Sequence, residues 1–276
     1  MALDMVGSAD PGRAAEPSGE GQPDVPLLRL EHVSKHFGQI EALTDVSLDF
    51  PAGKVTALVG DNGAGKSVLI KCIAGIHPPD SGQIYWEGHP VSIHTPKDAA
   101  ALGIETVYQD LALCDNLDIV ENMFLGRERT AHHVVLDEGA MEKSARETLA
   151  SLAVRTLKSP RQRVAQLSGG QRQSVAIAKA VLWHSKLVIM DEPTAALGVA
   201  QTKVVLDLIR RLADRGLAVI VISHNMNDVF AVADRIAVIT MGRLAAVRAT
   251  SELDPITVIE LMTTGTANHA GSAQPS

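Results

Sequence analysis

The string Gly60-Asp61-Asn62-Gly63-Ala64-Gly65-Lys66-Ser67 constrains this chain more than any other feature. It follows the aliphatic run Val55-Thr56-Ala57-Leu58-Val59 and precedes a helical stretch, Ser67 to Ile76. It fits G-x-x-x-x-G-K-[ST] in full. Gly60, Gly63 and Gly65 let backbone N–H groups converge without side-chain clashes, and such a nest at a helix N-terminus suits phosphate oxygens. Lys66 is placed to reach the β- and γ-phosphates of a nucleotide, and Ser67 to ligate magnesium. Strand, phosphate loop and helix in that order call for an α/β core.

The rest of the chain agrees with such a core. Only 3% of the residues are aromatic against 46% hydrophobic overall, so the interior is aliphatic, as in parallel strands buried under helices. Leu187 to Met190 and Ala218 to Ile222 are short aliphatic runs of that kind, with a helix expected over Val199 to Ala213 between them. Two strands, Leu27 to Phe37 and Thr44 to Phe50, open the ordered part, and Ile84 to Val91 reads as a hairpin turning at Glu87-Gly88. Ile236 to Thr240, Gly242 and Leu244 to Val247 read as a closing hairpin. Residues 110 to 180 are mostly helical in pattern. Gly139 to Val154 sets Met141, Ala145, Leu149 and Leu152 on one face, and Gly170 to Trp183 is a second helix. The tails, 1–26 and 266–276, carry little to bury and are expected to be disordered. The folded part is thus 27–265, with a helical subdomain at about 110–180.

Two further strings carry chemistry. Leu187-Val188-Ile189-Met190 ends in Asp191-Glu192, and two carboxylates at the end of an apolar strand are costly unless they have a task. Asp191 suits a magnesium held through water, and Glu192 suits orienting or deprotonating an attacking water; a helix N-cap ahead of Pro193 is the plainer alternative. Leu167-Ser168-Gly169-Gly170-Gln171 precedes a helix, so its N–H groups and the Ser168 hydroxyl make a second anion site, or simply a serine N-cap with a flexible glycine pair.

With these three strings in order, the chain resembles the nucleotide-binding subunit of an ATP-binding-cassette (ABC) transporter over residues 27 to 265. Leu-Ser-Gly-Gly-Gln is the signature that separates that family from other P-loop NTPases. The resemblance implies a P-loop α/β fold with an N-terminal antiparallel β subdomain and a helical signature subdomain. It implies that ATP, with Mg2+, is held by Gly60, Asp61, Asn62, Gly63, Ala64, Gly65, Lys66 and Ser67 of one cassette and by Ser168, Gly169, Gly170 and Gln171 of a second. It also implies Phe37 stacked on adenine, although a lone Phe could equally be core. Gln109 becomes the Q-loop glutamine near the magnesium, with Ser67 and Asp191. Glu192, His224 and Gln109 become the catalytic residues, Glu192 positioning the attacking water for hydrolysis and His224, the switch histidine, contacting the γ-phosphate. One position departs from the family: Gly198, in Ala195-Ala196-Leu197-Gly198, stands where many members carry an aspartate, which puts the coupling between two ATP sites in doubt.

Tyr108 to Leu117 and Glu121 to Glu128 are similar to bacterial monosaccharide importers of the ribose, xylose and fructose type. That similarity implies a homodimer of cassettes, integral-membrane permease subunits, a separate sugar-binding protein, and a peripheral position on the cytoplasmic side of the inner membrane. An importer of another small solute, such as an amino acid, and an ABC ATPase without a transport role are the other classes. A net charge of -7 without a basic stripe speaks against nucleic acid as a partner. Cys72 and Cys114 lie apart from each other and outside any zinc-type spacing.

Overall fold

In the computed structural model, residues 25–131, 135–154 and 156–265 are described. The five residues of β3 (Val55–Val59) are all buried, as are the five of β10 (Ala218–Ile222). This is the pattern of strands covered on both faces. They pair in parallel at the centre of a six-stranded sheet. On one side follow β9 (Leu187–Asp191) and β6 (Ile104–Val107), and on the other β11 (Arg235–Thr240) and the antiparallel edge strand β12 (Arg243–Ala249). Successive side chains of a strand point to opposite faces, and the core divides accordingly. Val219 and Val221, with Val188 and Met190, pack toward α5 (Gly169–Val181) and α6 (Val199–Asp214). Ile220 and Ile222, with Leu187 and Ile189, pack toward α1 (Lys66–Ile73).

A second sheet covers that other face. It is antiparallel, in the order β2 (Ile40–Phe50), β1 (Leu28–Phe37), β4 (Ser81–Trp86), β5 (His89–Val91), and its Leu28, Phe50 and Trp86 join the same core as α1. The segment between β6 and β9 holds α3 (Ile119–Phe124), a two-stranded ribbon of β7 (Thr130–Ala131) and β8 (Val135–Leu136), α4 (Glu138–Ser151) and α5. Met141, Ala145 and Leu149 of α4 are buried, with Leu152 at its end, as the sequence spacing predicts. The ribbon is the strand component of a stretch whose sequence pattern is mostly helical. Three helices outside that stretch are not anticipated by the sequence pattern: α2 (Pro96–Leu102), α7 (Met226–Val232) and α8 (Pro255–Thr264). The tails expected at 1–26 and 266–276 lie outside the described residues, apart from 25 and 26, which precede β1.

One half-buried ion pair holds the front of the central sheet. Asp234 Oδ2 accepts from the Val55 N–H at 2.8 Å and from Arg210 Nη1 at 2.8 Å, so the start of β3, the start of β11 and α6 meet at one carboxylate. Burial opposes ionisation of Asp234, but the Val55 N–H and the Arg210 guanidinium outweigh it and hold the carboxyl below its usual range.

Candidate functional site

The C-terminal ends of β3, β6, β9 and β10 open into a cavity of about 480 Å³. Open α/β sheets bind ligands at this end of their strands. Its floor is the loop from Gly60 to Ser67, with Asn62, Gly63, Gly65, Lys66 and Ser67 in the lining and Ala64 buried behind. Only glycine fits two of these positions. Gly65 has φ +109, and a Cβ there would sit 2.8 Å from the Ala42 carbonyl oxygen; at Gly60 a Cβ would sit 2.2 Å from that of Ile239. Strand β2 and the β11–β12 turn therefore press the loop into shape from behind.

Lys66 Nζ donates to the carbonyls of Gly60 at 2.7 Å and Asp61 at 2.9 Å. Burial lowers its pKa from the ordinary lysine value, while Glu192, Asp61 and Asp191 pull the other way. The ammonium thus sits folded onto its own loop. Asp191, Glu192 and Gln109 line the same cavity. Burial and then the neighbouring Glu192 push the Asp191 carboxyl above its usual range, with Lys66 opposing. A carboxylate so placed favours a cationic neighbour.

Glu192 does not cap a helix: α6 begins only at Val199, with Gly198 at its N-cap. Glu192 instead takes a left-handed backbone, φ 50, its N–H donating to Ile222 O at 2.9 Å. That conformation is uncommon outside glycine and occurs at functional sites. Its Oε1 lies 2.8 Å from His224 Nδ1. With Glu192 ionised, the carboxylate accepts and the Nδ1–H donates.

His224 is outside the cavity lining and joins it only through Glu192, and Phe37 and the Ser168 to Gln171 string stand outside it as well. Phe37 is half exposed at the end of β1, its ring edge-on to His77 with centroids 5.3 Å apart. The rim on this side is made instead by Ile40 and Met241, 70% and 85% exposed. Ser168 to Gln171 start α5 elsewhere, where Ser168 and Gln171 form a reciprocal capping box. The two glycines are wedged under the start of α6: a Cβ on Gly169 would meet Leu197 Cδ2 at 2.9 Å, and one on Gly170 would meet Gln201 Cβ at 2.9 Å. Sequence reading also missed a buried bond beside the site, Thr194 Oγ1 donating to Asp228 Oδ2 at 2.6 Å. Neither residue belongs to a string that flags it.

A phosphate loop at the mouth of a parallel sheet, faced by an acidic strand end, defines a nucleotide-binding P-loop protein. Residues 43–195 match the family model described as ABC transporter. The chain belongs to the ABC transporter family, as an ATP-binding cassette. It is 48% identical over 224 residues to the fructose import ATP-binding protein FrcA of Rhizobium meliloti, covering 79% of this chain and 86% of that one. It is 45% identical over 237 residues to the xylose/arabinose import ATP-binding protein XylG of Sulfolobus acidocaldarius, covering 86% and 94%. Among solved structures, a nucleotide-free ATP-binding cassette from an ABC transporter superposes with a TM-score of 0.75 at 27% identity, over 85% of this chain and 98% of that one. A dimeric bacterial cassette, MJ0796, superposes with a TM-score of 0.68 at 25% identity, over 81% and 98%. Among the described residues no helix is long and apolar enough to cross a membrane.

Proposed function

We propose that this chain is the ATP-hydrolysing subunit of a monosaccharide importer, working as a head-to-tail pair of cassettes on a separate permease from the cytoplasmic side of the inner membrane. The observation that carries the proposal is the convergence of Lys66, Ser67, Gln109, Asp191 and Glu192 on one cavity in a chain so similar to sugar-import ATP-binding proteins.

Magnesium fits the residues present. The Ser67 hydroxyl, the Gln109 amide oxygen and the Asp191 carboxylate are hard oxygen donors lining one cavity, and magnesium uses one or two carboxylates beside substrate phosphates rather than a closed protein cage. Among the described residues there is no cluster of three or more His, Cys, Asp or Glu side chains that would suggest another metal. When bound, the ion neutralises charge on the phosphate oxygens.

The remaining work falls to side chains. Lys66 exchanges the Gly60 and Asp61 carbonyls for phosphate oxygens. Glu192 orients the attacking water and takes its proton, with His224 fixing the carboxylate through the 2.8 Å bond. Ser168 to Gln171 stand outside the cavity of their own chain, which supports a site completed by a second copy. MJ0796, similar in fold, is described as a dimer. Phe37 remains the proposed adenine contact, reached by turning off His77.

Reconstitution of the chain with its permease and binding protein in liposomes, with phosphate release as readout, tests the proposal. One of fructose, xylose or ribose raises the rate. Equal rates with and without every sugar, or stimulation by an amino acid instead, refute the sugar assignment.

A further inference from the structure

We infer that Thr194 and Asp228 are positioning residues that hold Glu192 and His224 in register. The inference rests on the reading of that pair as the hydrolytic one.

The loop after β9 carries Glu192, Pro193 and Thr194, and the loop after β10 carries Ser223, His224 and Asn225 before α7. Three bonds tie the first loop to the end of β10, to the second loop and to α7. The Glu192 N–H donates to Ile222 O at 2.9 Å, which anchors the backbone at the base of both loops. Glu192 Oε1 meets His224 Nδ1 at 2.8 Å, on a histidine whose side chain is 76% exposed. Thr194 Oγ1 donates to Asp228 Oδ2 at 2.6 Å, with both residues buried.

These bonds differ in what they survive. The Glu192–His224 bond is exposed on the histidine side, where water and ligand can reach it. The backbone bond fixes where Glu192 starts but not where its side chain aims. The Thr194–Asp228 bond lies two residues past Glu192 and four past His224, sheltered from water and ligand alike. A buried bond to a charged acceptor is strong, and losing its donor leaves a carboxylate uncompensated. It therefore clamps the two loops from behind throughout a catalytic cycle. The left-handed backbone of Glu192, φ 50, is the kind of conformation such a clamp helps to hold, since it carries a cost that surrounding structure must offset.

The test compares wild type, Thr194→Val and Thr194→Ser by phosphate release at a temperature where circular dichroism shows all three folded. Val replaces the hydroxyl by a methyl of similar size; Ser keeps the donor. Thr194→Val is expected to lower kcat by about tenfold or more with KM for ATP within about twofold, and Thr194→Ser to lie within about threefold of wild type. A kcat for Thr194→Val within about twofold of wild type, or an equal loss in Thr194→Ser, overturns the inference. Should Thr194→Val not fold, Asp228→Asn, which keeps an acceptor oxygen, is set against Asp228→Ala. A clearly higher kcat in the Asn variant supports the clamp, and equal values overturn it. Failure of the underlying reading shows separately, as undiminished turnover in Glu192→Gln.

Discussion

Replacing Lys66 by alanine isolates the contribution of one charge to nucleotide binding. Free of ligand, Nζ is satisfied by two carbonyls, at 2.7 and 2.9 Å, so binding is an exchange and not a pure gain. A unit positive charge about 4 Å from a phosphate charge, at an effective dielectric of about 20, contributes about 4 kcal/mol. Giving up the carbonyl bonds returns about 1 to 2 kcal/mol. The net, about 2 to 3 kcal/mol, corresponds to a loss of about 30- to 150-fold in ATP affinity for Lys66→Ala. Calorimetric titration measures it, with AMP as the control, since AMP lacks the phosphates that Lys66 reaches. ATP binding within about threefold of wild type, or an equal loss with AMP, would refute the placement of Lys66 against the outer phosphates.

Two other perturbations follow from the fold. Gly198 caps α6 with no side-chain acceptor, at φ -74, and a Cβ there meets nothing within 4 Å. Gly198→Asp therefore adds a cap without strain and stabilises the protein by about 1 kcal/mol, read as a higher urea midpoint; a lower midpoint contradicts this. Asp234 has a lowered pKa in the folded state, so its contribution is present above the unfolded value of about 3.9 and is lost as pH falls through the folded value. Asp234→Asn costs about 1 to 3 kcal/mol at neutral pH, and the gap to wild type closes in acid. A gap independent of pH in chemical denaturation would remove Asp234 from that role.

The sequence was most legible where chemistry and backbone demand coincide. Gly60, Gly63, Gly65, Lys66 and Ser67 announce a loop in which close approach requires glycine at 60 and 65, a positive φ favours it at 63, and the polar groups have one use. Asp191 and Glu192 stood out because an aliphatic strand rarely ends in two acids. The aliphatic runs at 187–190 and 218–222 read as buried strands because nothing in them needs water. Short elements were harder. Helix α2 has a capping box at Thr95 and Asp98, with Pro96 in the first turn, yet its seven residues bury only Ala99, too little to give a period. Ribbon β7–β8 has two residues per strand, below any pattern length. The Thr194–Asp228 bond joins residues 34 apart, and no local propensity reports on a pairing made by the sheet. Phe37 shows the opposite limit: the sequence offers it as a base contact but not the direction of its ring, which lies edge-on to His77 beside a rim of Ile40 and Met241.

Phosphate release by wild type and Glu192→Gln, run beside size-exclusion in ATP, decides whether Glu192 carries the ATPase activity of this cassette. The substitution keeps the side chain's shape and removes its capacity to take a proton. In Glu192→Gln, turnover is expected to fall by about 100-fold or more while ATP still binds and the variant accumulates as a dimer. Turnover at the wild-type rate would contradict that role for Glu192.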